Sequence, residues 1–485
     1  MGTLAIAVIV YLVVSIGIGL YAAIRVKNAT DYVLAGRSLP IYVTIATVFA
    51  TWFGSEAVLG MPATFMAEGL GGIVADPFGA GLCLVFVGLF FAARLYRMKL
   101  LTIGDFYRQR YGKTVETLVS LAICISYLGW VSAQIVALGL TINLVSQDAI
   151  SMELGMVIGL AVVMLYTVYG GMWSVAIMDF IQMMAILLGL LIVAYLVSGR
   201  LEGGFMAVVE HASAHDKFDF WPELSPAAVL AFVGSFVTLA LGSIPQQDVF
   251  QRVMSAKNEK TAVRGTILGG VFYIAFCFVP IFIVYGATML DPALLATHMG
   301  PDGDYQRILP EFILNDVPIV IQVIFFGALL SAIMSTASGT LLAPASIMAE
   351  NIFKEAFDLD DRQRLFTLRL SVFIFGLIVL GYAYLSTSAG LSIFEMVENA
   401  YLVTLCGAFV PLAFGIYWKK STNSGALLSI AFGVITWAVL EVLNARLVEP
   451  MMAPPQLTGL FMAIIGMILG SLLPRLNRAR RAPVA

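Results

Sequence analysis

Charged residues and cysteines are both scarce in this chain of 485 residues. Asp, Glu, Lys and Arg make up only 12% of it, and the formal net charge is −3, so nothing in the composition indicates binding to nucleic acid. The four cysteines lie far apart inside apolar stretches, and their spacing predicts neither a disulfide framework nor a zinc or iron–sulfur site. No phosphate-binding loop and no nucleophile paired with a base is present, which argues against an enzyme.

Apolar residues, in contrast, are abundant and come in long runs. The chain is 60% hydrophobic, its mean hydropathy is +0.95, and apolar runs of about 20 residues, the length that crosses a bilayer, recur from end to end. This pattern predicts an all-α integral membrane protein with about thirteen transmembrane helices. The predicted spans are residues 3–24, 41–66, 72–94, 116–146, 151–169, 172–198, 226–251, 264–290, 317–353, 365–387, 391–417, 423–445 and 456–474.

The distribution of lysine and arginine sets an orientation for these spans. If the N-terminus lies outside, all but four of the 27 lysines and arginines fall in cytoplasmic loops, as cationic residues of membrane proteins prefer. The four exceptions are Arg200, Lys217, Arg307 and Arg446. The sequence therefore predicts a multi-pass protein of the cell membrane with a cytoplasmic C-terminus. Its expected partners are the lipid bilayer and a small-molecule solute, with no nucleic acid and no obligate protein partner.

Two spans carry stretches that a straight membrane helix avoids. The second contains Gly54, two nearby hydroxyl residues and Glu56, and the seventh contains Pro245, which lacks a backbone donor. Non-helical backbone at membrane depth is tolerated only where it lines protein or a cavity. Because the breaks are five spans apart, they predict a core of two five-helix inverted repeats. The predicted divisions are an N-terminal extra helix and loop (1–40), the two repeats (41–225 and 226–420) and a C-terminal helix pair with a basic tail (421–485).

Polar residues inside two other spans are candidate ion ligands. In the ninth span Ala332, Ser335 and Thr336 follow each other at i, i+3 and i+4 and therefore share one helix face. Hydroxyl oxygens grouped at this depth suit a small hard cation, although such residues also serve helix packing. Asp179 lies well inside the sixth span, where it is a candidate ion ligand, a proton carrier or a hydrogen-bonded core carboxylate.

Four segments, in this order along the chain, resemble the sodium:solute symporter family, whose members share the inverted-repeat fold of the leucine transporter. The segments are Asp31–Leu39, Thr102–Phe106, Gly170–Gln182 and Met334–Thr336. The resemblance implies sodium as the coupling ion and as the only metal or cofactor. It also implies that the ligands of that sodium are the backbone carbonyls of Ala50, Phe53 and Ala332 and the hydroxyls of Ser335 and Thr336.

Some family members bind a second sodium ion with the acid of the sixth span and further hydroxyls of the ninth. Asp179, Ser335 and Ser338 match that pattern here. Gly339, however, replaces a hydroxyl residue, and Met178 stands where a threonine often precedes the aspartate. The resemblance therefore leaves a second sodium site open.

Within the family, the sequence most resembles the branch that contains the high-affinity choline transporter. Choline requires several aromatic faces around its quaternary ammonium, and Trp52 and Trp130 would supply two of them. An expected tryptophan is replaced by Gln246, and an expected tyrosine in the third span by Ala80.

The replacements alter the expected chemistry of the solute. The amides of Gln246 and Gln247 suit a solute with a carboxylate, amide or hydroxyl, and Glu56 is a further candidate contact. We therefore expect a sodium-coupled secondary active symporter that imports a small polar organic solute, with a carboxylate-bearing solute favoured over choline. Two alternatives remain, namely proton coupling through Asp179 or Glu56 and a solute sensor that does not transport.

Overall fold

Every named element in the part of the chain that the computed structural model describes, residues 2–298, 305–354, 360–447 and 451–473, is helical. The α-helices are α1 (Thr3–Ala23), α2 (Ala29–Leu34), α3 (Ile41–Trp52), α4 (Met61–Glu68), α5 (Ala80–Phe86), α6 (Ala92–Arg97), α7 (Ile103–Tyr111), α8 (Lys113–Val145), α9 (Met152–Arg200), α10 (Gly204–Ala214), α11 (Pro226–Gly242), α12 (Gln247–Ser255), α13 (Glu259–Leu290), α14 (Pro292–His298), α15 (Ile308–Asp316), α16 (Ile319–Ile347), α17 (Asp361–Ser388), α18 (Ile393–Ala400), α19 (Leu402–Thr404), α20 (Val410–Tyr417), α21 (Asn423–Asn444) and α22 (Pro455–Leu472). Five π-helical segments adjoin them: Glu56–Gly60, Val74–Gly79, Val87–Phe91, Met348–Phe353 and Leu405–Phe409. Short 3₁₀ segments cover Ala35–Arg37, Gly69–Ile73 and Tyr305–Arg307.

The all-helical membrane fold is confirmed, but the count of thirteen spans is not. Within the described residues, ten continuous helical stretches are long and apolar enough to cross a membrane, or eleven if the bent pair α11 and α12 forms one span. One source of the difference is α9, whose 49 residues would measure about 73 Å at about 1.5 Å per residue. A bilayer core is only about 30 Å thick. The length of α9 therefore fits the predicted fifth and sixth spans joined end to end.

A glycine marks the junction inside α9. Gly171 has φ 48° and ψ −141°, and a side chain there would place Cβ only 2.4 Å from the backbone oxygen of Tyr32. Only glycine combines this backbone conformation with so close an approach of another chain segment. The junction falls between residues 169 and 172, where the fifth span was predicted to end and the sixth to begin.

Burial separates the surface helices from the centre of the molecule. Large apolar side chains such as Leu188, Leu385 and Phe461 are more than 60% exposed, as expected for surfaces that face lipid tails. In α16, by contrast, every residue from Ala328 to Ile347 is buried. This helix packs against α3, α8, α9 and α17, so the predicted hydroxyl cluster lies in the protein interior rather than at the lipid surface.

Both predicted helix breaks are present. Helix α3 ends at Trp52 and helical structure resumes at Glu56, while α11 and α12 meet at an angle of 46°. Side chains satisfy freed backbone groups at each break: Ser55 N donates to Gln134 Oε1 at 3.0 Å, and Thr404 Oγ1 donates to the oxygen of Gly242 at 2.8 Å. Such side-chain partners are what allow irregular backbone at membrane depth.

Candidate ion and solute sites at the helix breaks

Three of the five predicted sodium ligands meet directly. The backbone oxygen of Ala50, freed near the end of α3, lies 3.3 Å from Ser335 Oγ and 3.1 Å from Thr336 Oγ1. Phe53 is at the break itself and Ala332 is one helical turn before Thr336; all five residues are fully buried. The arrangement brings oxygen atoms of two helices together in a dry interior, which fits the preference of a small hard cation for oxygen ligands.

The approach of the two helices depends on a glycine in the break. A Cβ on Gly54 would lie 2.7 Å from Thr336 Oγ1 and 2.7 Å from Gln134 Oε1. Gln134 also donates to Glu56 Oε2 at 2.7 Å, and it therefore connects α8 to the break and to the π-helical segment that follows it. Sequence reasoning missed Gln134, although it follows Trp130 by one helical turn and so shares its face.

Asp179 lies beside this cluster but has two protein partners. Ser335 Oγ donates to its Oδ1 at 2.6 Å, and Arg252 Nη2 is 3.7 Å from its Oδ2. Both side chains of the ion pair are buried, at 0% and 1% exposure. Ser338, the other candidate for a second sodium, donates its hydroxyl back to the oxygen of Ser335 in its own helix at 3.0 Å. The structure thus places Asp179 in contact with Ser335, a predicted sodium ligand, and places Arg252, which sequence reasoning missed, beside Asp179.

Aromatic rings gather between the two breaks. The ring centroids of Trp52 and Trp130 are 6.3 Å apart, those of Trp52 and Tyr273 6.4 Å, and those of Trp130 and Tyr401 5.4 Å. A small cavity of about 10 Å³ lies among these rings, which is less than the volume of an organic molecule. Its lining residues are Trp52, Glu56, Asp76, Ala80, Trp130, Leu239, Ser243, Tyr273, Val397 and Tyr401.

The ionisable groups of this cavity are acidic. Glu56 and Asp76 both line it, and the hydroxyl of Tyr273 donates to Asp76 Oδ1 at 2.6 Å. Lysine and arginine are absent from the lining residues that the structure describes. Sequence reasoning singled out Glu56 but missed Tyr273 and Tyr401, because a tyrosine within a long apolar span carries no signal that separates a site residue from a packing residue.

The two predicted glutamines lie elsewhere. Gln246 Nε2 donates to Ser126 Oγ at 2.9 Å and lies 3.4 Å from Thr404 Oγ1. Gln247 Oε1 accepts from the backbone N–H of Ile103 at 2.8 Å and so connects α12 to the start of α7. Neither glutamine is among the described residues that line the cavity. The structure therefore brings Trp52, Glu56 and Trp130 together but leaves Gln246 and Gln247 outside.

The family of the chain follows from a comparison of its sequence with known proteins. The profile of the sodium:solute symporter family matches residues 32–433, which is most of the chain. The chain belongs to the sodium:solute symporter family. It is therefore a multi-pass membrane protein and a sodium-coupled symporter of a small-molecule solute, and not an enzyme.

The curated relatives of the chain are named for different solutes. The human high affinity choline transporter 1 is 28% identical over 459 residues, which cover 88% of this chain and 75% of that protein. The high-affinity proline transporter PutP of Bacillus subtilis is 28% identical over 454 residues (87% and 89%). The sodium/glucose cotransporter of Vibrio parahaemolyticus is 24% identical over 462 residues (88% and 82%).

Solved structures agree on the fold. A Na⁺-coupled sialic acid symporter, in a substrate-bound outward-open state, matches with a TM-score of 0.80 over 97% of this chain and 98% of that one, at 20% identity. MhsT in complex with L-phenylalanine matches with a TM-score of 0.54 over 90% and 98%, at 14% identity. The leucine-transporter-like fold expected from the sequence is confirmed.

Proposed function

We propose that this protein uses the inward movement of sodium to import a small organic cation. The observation that carries the proposal is the cavity at the helix breaks, where the rings of Trp52, Trp130, Tyr273 and Tyr401 surround a space that also faces two carboxylates. Ring faces attract a cation through their quadrupoles, and a carboxylate strengthens that attraction. A solute with its own carboxylate would meet two groups of like charge.

This proposal replaces the sequence-based preference for a carboxylate-bearing solute. That preference required the amide of Gln246 to face the solute, whereas the amide is engaged by Ser126 and Thr404. Tyr273 and Tyr401 supply the further ring faces that two tryptophans alone would lack. The similarity to choline transporters supports a cationic solute, but relatives named for proline and glucose are about as similar, so the proposal rests on the cavity.

The proposed coupling runs through the break in α3. Sodium held by Ala50, Phe53, Ala332, Ser335 and Thr336 would fix the end of α3 against α16. Trp52 lies two residues after Ala50, so an ion that fixes this segment also fixes one wall of the solute cavity. Ion binding would thereby favour the conformation that binds solute, and solute would favour ion binding to the same extent.

The orientation and the internal repeats are part of the same proposal. The cationic loops support an N-terminus outside and a C-terminus in the cytoplasm of the cell membrane. Repeats at 41–225 and 226–420 would each begin with a broken helix, and the two breaks would meet at the transport site.

Uptake by the purified protein in liposomes tests the proposal. Radiolabelled choline serves as the probe, with an inward gradient of sodium chloride or, as control, of potassium chloride. We expect uptake in sodium only, and competition by tetramethylammonium and other quaternary amines but not by proline or acetate. Uptake that is independent of sodium, or competition by carboxylates without competition by quaternary amines, would contradict the proposal.

A pair of tryptophan variants shows whether the cavity is responsible. Trp52→Ala removes one ring and should raise the half-saturation constant for choline roughly tenfold or more, since a desolvated cation–π contact is worth about 2 kcal/mol. Trp221→Ala is the matched control, because Trp221 is 78% exposed in a loop away from the cavity. Equal effects of the two substitutions on the half-saturation constant would show that the cavity does not bind choline.

A further inference from the structure

The carboxylate of Asp179 has an arginine as its partner in the protein interior. Arg252 is 1% exposed, and its Nη2 lies 3.7 Å from Asp179 Oδ2. Arg252 lies on α12 and Asp179 on α9, and the two side chains carry opposite charges. The predicted sodium ligand Ser335 donates a hydrogen bond to the other oxygen of Asp179. A buried charge requires a partner, because an isolated one is strongly penalised by the loss of water.

A glycine provides the space for this guanidinium. A Cβ on Gly339 would lie 1.9 Å from Arg252 Nη2 and 2.9 Å from its Cζ. Any side chain at position 339, including the hydroxyl residue found there in family members with a second sodium, would overlap the arginine. The position of the Arg252 guanidinium therefore depends on the glycine at position 339, where the sequence departs from those family members.

Backbone oxygens hold the arginine in place. Arg252 Nε donates to the oxygen of Thr47 at 3.0 Å, and Nη1 donates to the oxygen of Asp248 at 3.3 Å. Thr47 belongs to α3, three residues before Ala50, so the arginine also contacts the helix that carries the ion site. A guanidinium with a planar, fixed set of donors suits such a position better than the mobile amine of a lysine.

The residues of the second sodium site do not fit a sodium ion in this arrangement. Arg252 already balances the charge of Asp179, Gly339 offers no oxygen, and the hydroxyl of Ser338 is bonded to its own helix. We propose that the Arg252 guanidinium is a built-in cation that takes the place of a second sodium, so that the chain binds a single sodium ion in each transport cycle. The inference rests on the proposed sodium-coupled function and specifies its stoichiometry.

The Arg252 guanidinium and a second sodium ion would have different effects on how strongly the solute is accumulated. A second sodium would cross the membrane with the solute and add the free energy of its own gradient, whereas Arg252 stays with the protein. Solute accumulation should therefore rise with the first power of the sodium gradient rather than with its square.

Equilibrium binding of ²²Na⁺ to the purified protein tests the inference without any solute. Ionic strength is held constant with potassium chloride, and size-exclusion chromatography verifies that each variant is folded. The wild type should bind one sodium ion per chain. Arg252→Gln removes the fixed charge and should raise the count to two, and Gly339→Ser should do the same because it displaces the guanidinium and supplies an oxygen.

Two further variants serve as controls. Arg252→Lys keeps a positive charge beside Asp179, so its count should stay at one. Adding Asp179→Asn to Arg252→Gln should return the count from two to one, which would locate the additional ion at Asp179. If Arg252→Gln does not fold, Gly339→Ser carries the comparison, since it leaves the arginine in the chain.

The outcomes separate this inference from the proposed function. Two sodium ions on the wild type, or a count of one in both Arg252→Gln and Gly339→Ser, would overturn the built-in cation while sodium coupling stands. A wild type that binds no sodium would overturn the proposed sodium ligands, and the inference with them.

Discussion

At the scale of single residues, the proposed ion site rests on two hydroxyls and one backbone carbonyl. Ser335 and Thr336 each reach the oxygen of Ala50 across the interface of α16 and α3, and both are fully buried. Sequence reasoning could predict that these hydroxyls share a face, because helical spacing alone requires it. It could also predict that the freed carbonyl lies at the break in α3.

Removing both hydroxyls should strongly weaken sodium-dependent uptake. Ser335→Ala with Thr336→Ala deletes two ligand oxygens, and sodium affinity should fall roughly a hundredfold if each contact to a charged partner is worth about 1.5 kcal/mol. The measurement is the sodium concentration that gives half-maximal uptake. Thr340→Ala is the control, since that hydroxyl one turn away bonds only within its own helix and its loss should leave the sodium dependence nearly unchanged. Normal sodium dependence of the double variant would refute the ligand assignment.

Other residues of the site could not be predicted, for physical reasons. The direction of the Gln246 side chain depends on the unwound backbone after Pro245, where helical periodicity no longer fixes which way a side chain points. Arg252 was counted among the cytoplasmic loop cations, and only the fold reveals that it turns inward to Asp179. Contacts between residues so distant in sequence depend on how the helices pack, which a single sequence does not encode in any local pattern.

At the scale of secondary-structure elements, the break in α3 joins the proposed ion site to the proposed solute cavity. On one side it presents the oxygen of Ala50 to α16, and on the other it presents Trp52 to the aromatic rings. The sequence marks this break by its composition, and the same holds for Pro245 in the seventh span. The junction at Gly171 also falls where the sequence placed the end of one span, although the total number of spans stays a prediction.

A single methyl group in this break should weaken sodium binding. Gly54→Ala would place Cβ 2.7 Å from Thr336 Oγ1 and 2.7 Å from Gln134 Oε1, so α3 and α16 would have to separate. Overpacking of this kind costs about 1–3 kcal/mol, so we expect a roughly tenfold or greater rise in the sodium concentration for half-maximal uptake. Gly327→Ala on α16 is the matched control, because a Cβ there meets nothing within 4 Å. Equal sodium dependence of the two variants would show that the close approach at Gly54 has no part in ion binding.

At the scale of the whole molecule, the chain is a helical membrane protein with an apolar exterior and a buried centre that contains hydroxyls, carboxylates and aromatic rings. Family membership establishes sodium-coupled symport of a small solute. The cavity adds the proposal that the solute is an organic cation, and the ion pair of Asp179 and Arg252 adds the proposal of a single coupled sodium. The central claim is that the sodium gradient drives uptake of such a cation.

The most direct test of that claim is whether a sodium gradient alone concentrates choline. Liposomes containing the purified protein are loaded with choline at the external concentration, the membrane potential is held at zero with potassium and valinomycin, and an inward sodium gradient is then imposed. We predict that internal choline rises above the external concentration and that an inward proton gradient without sodium has no such effect. Choline that remains at the external concentration under the sodium gradient, or that is concentrated by the proton gradient instead, would contradict the account.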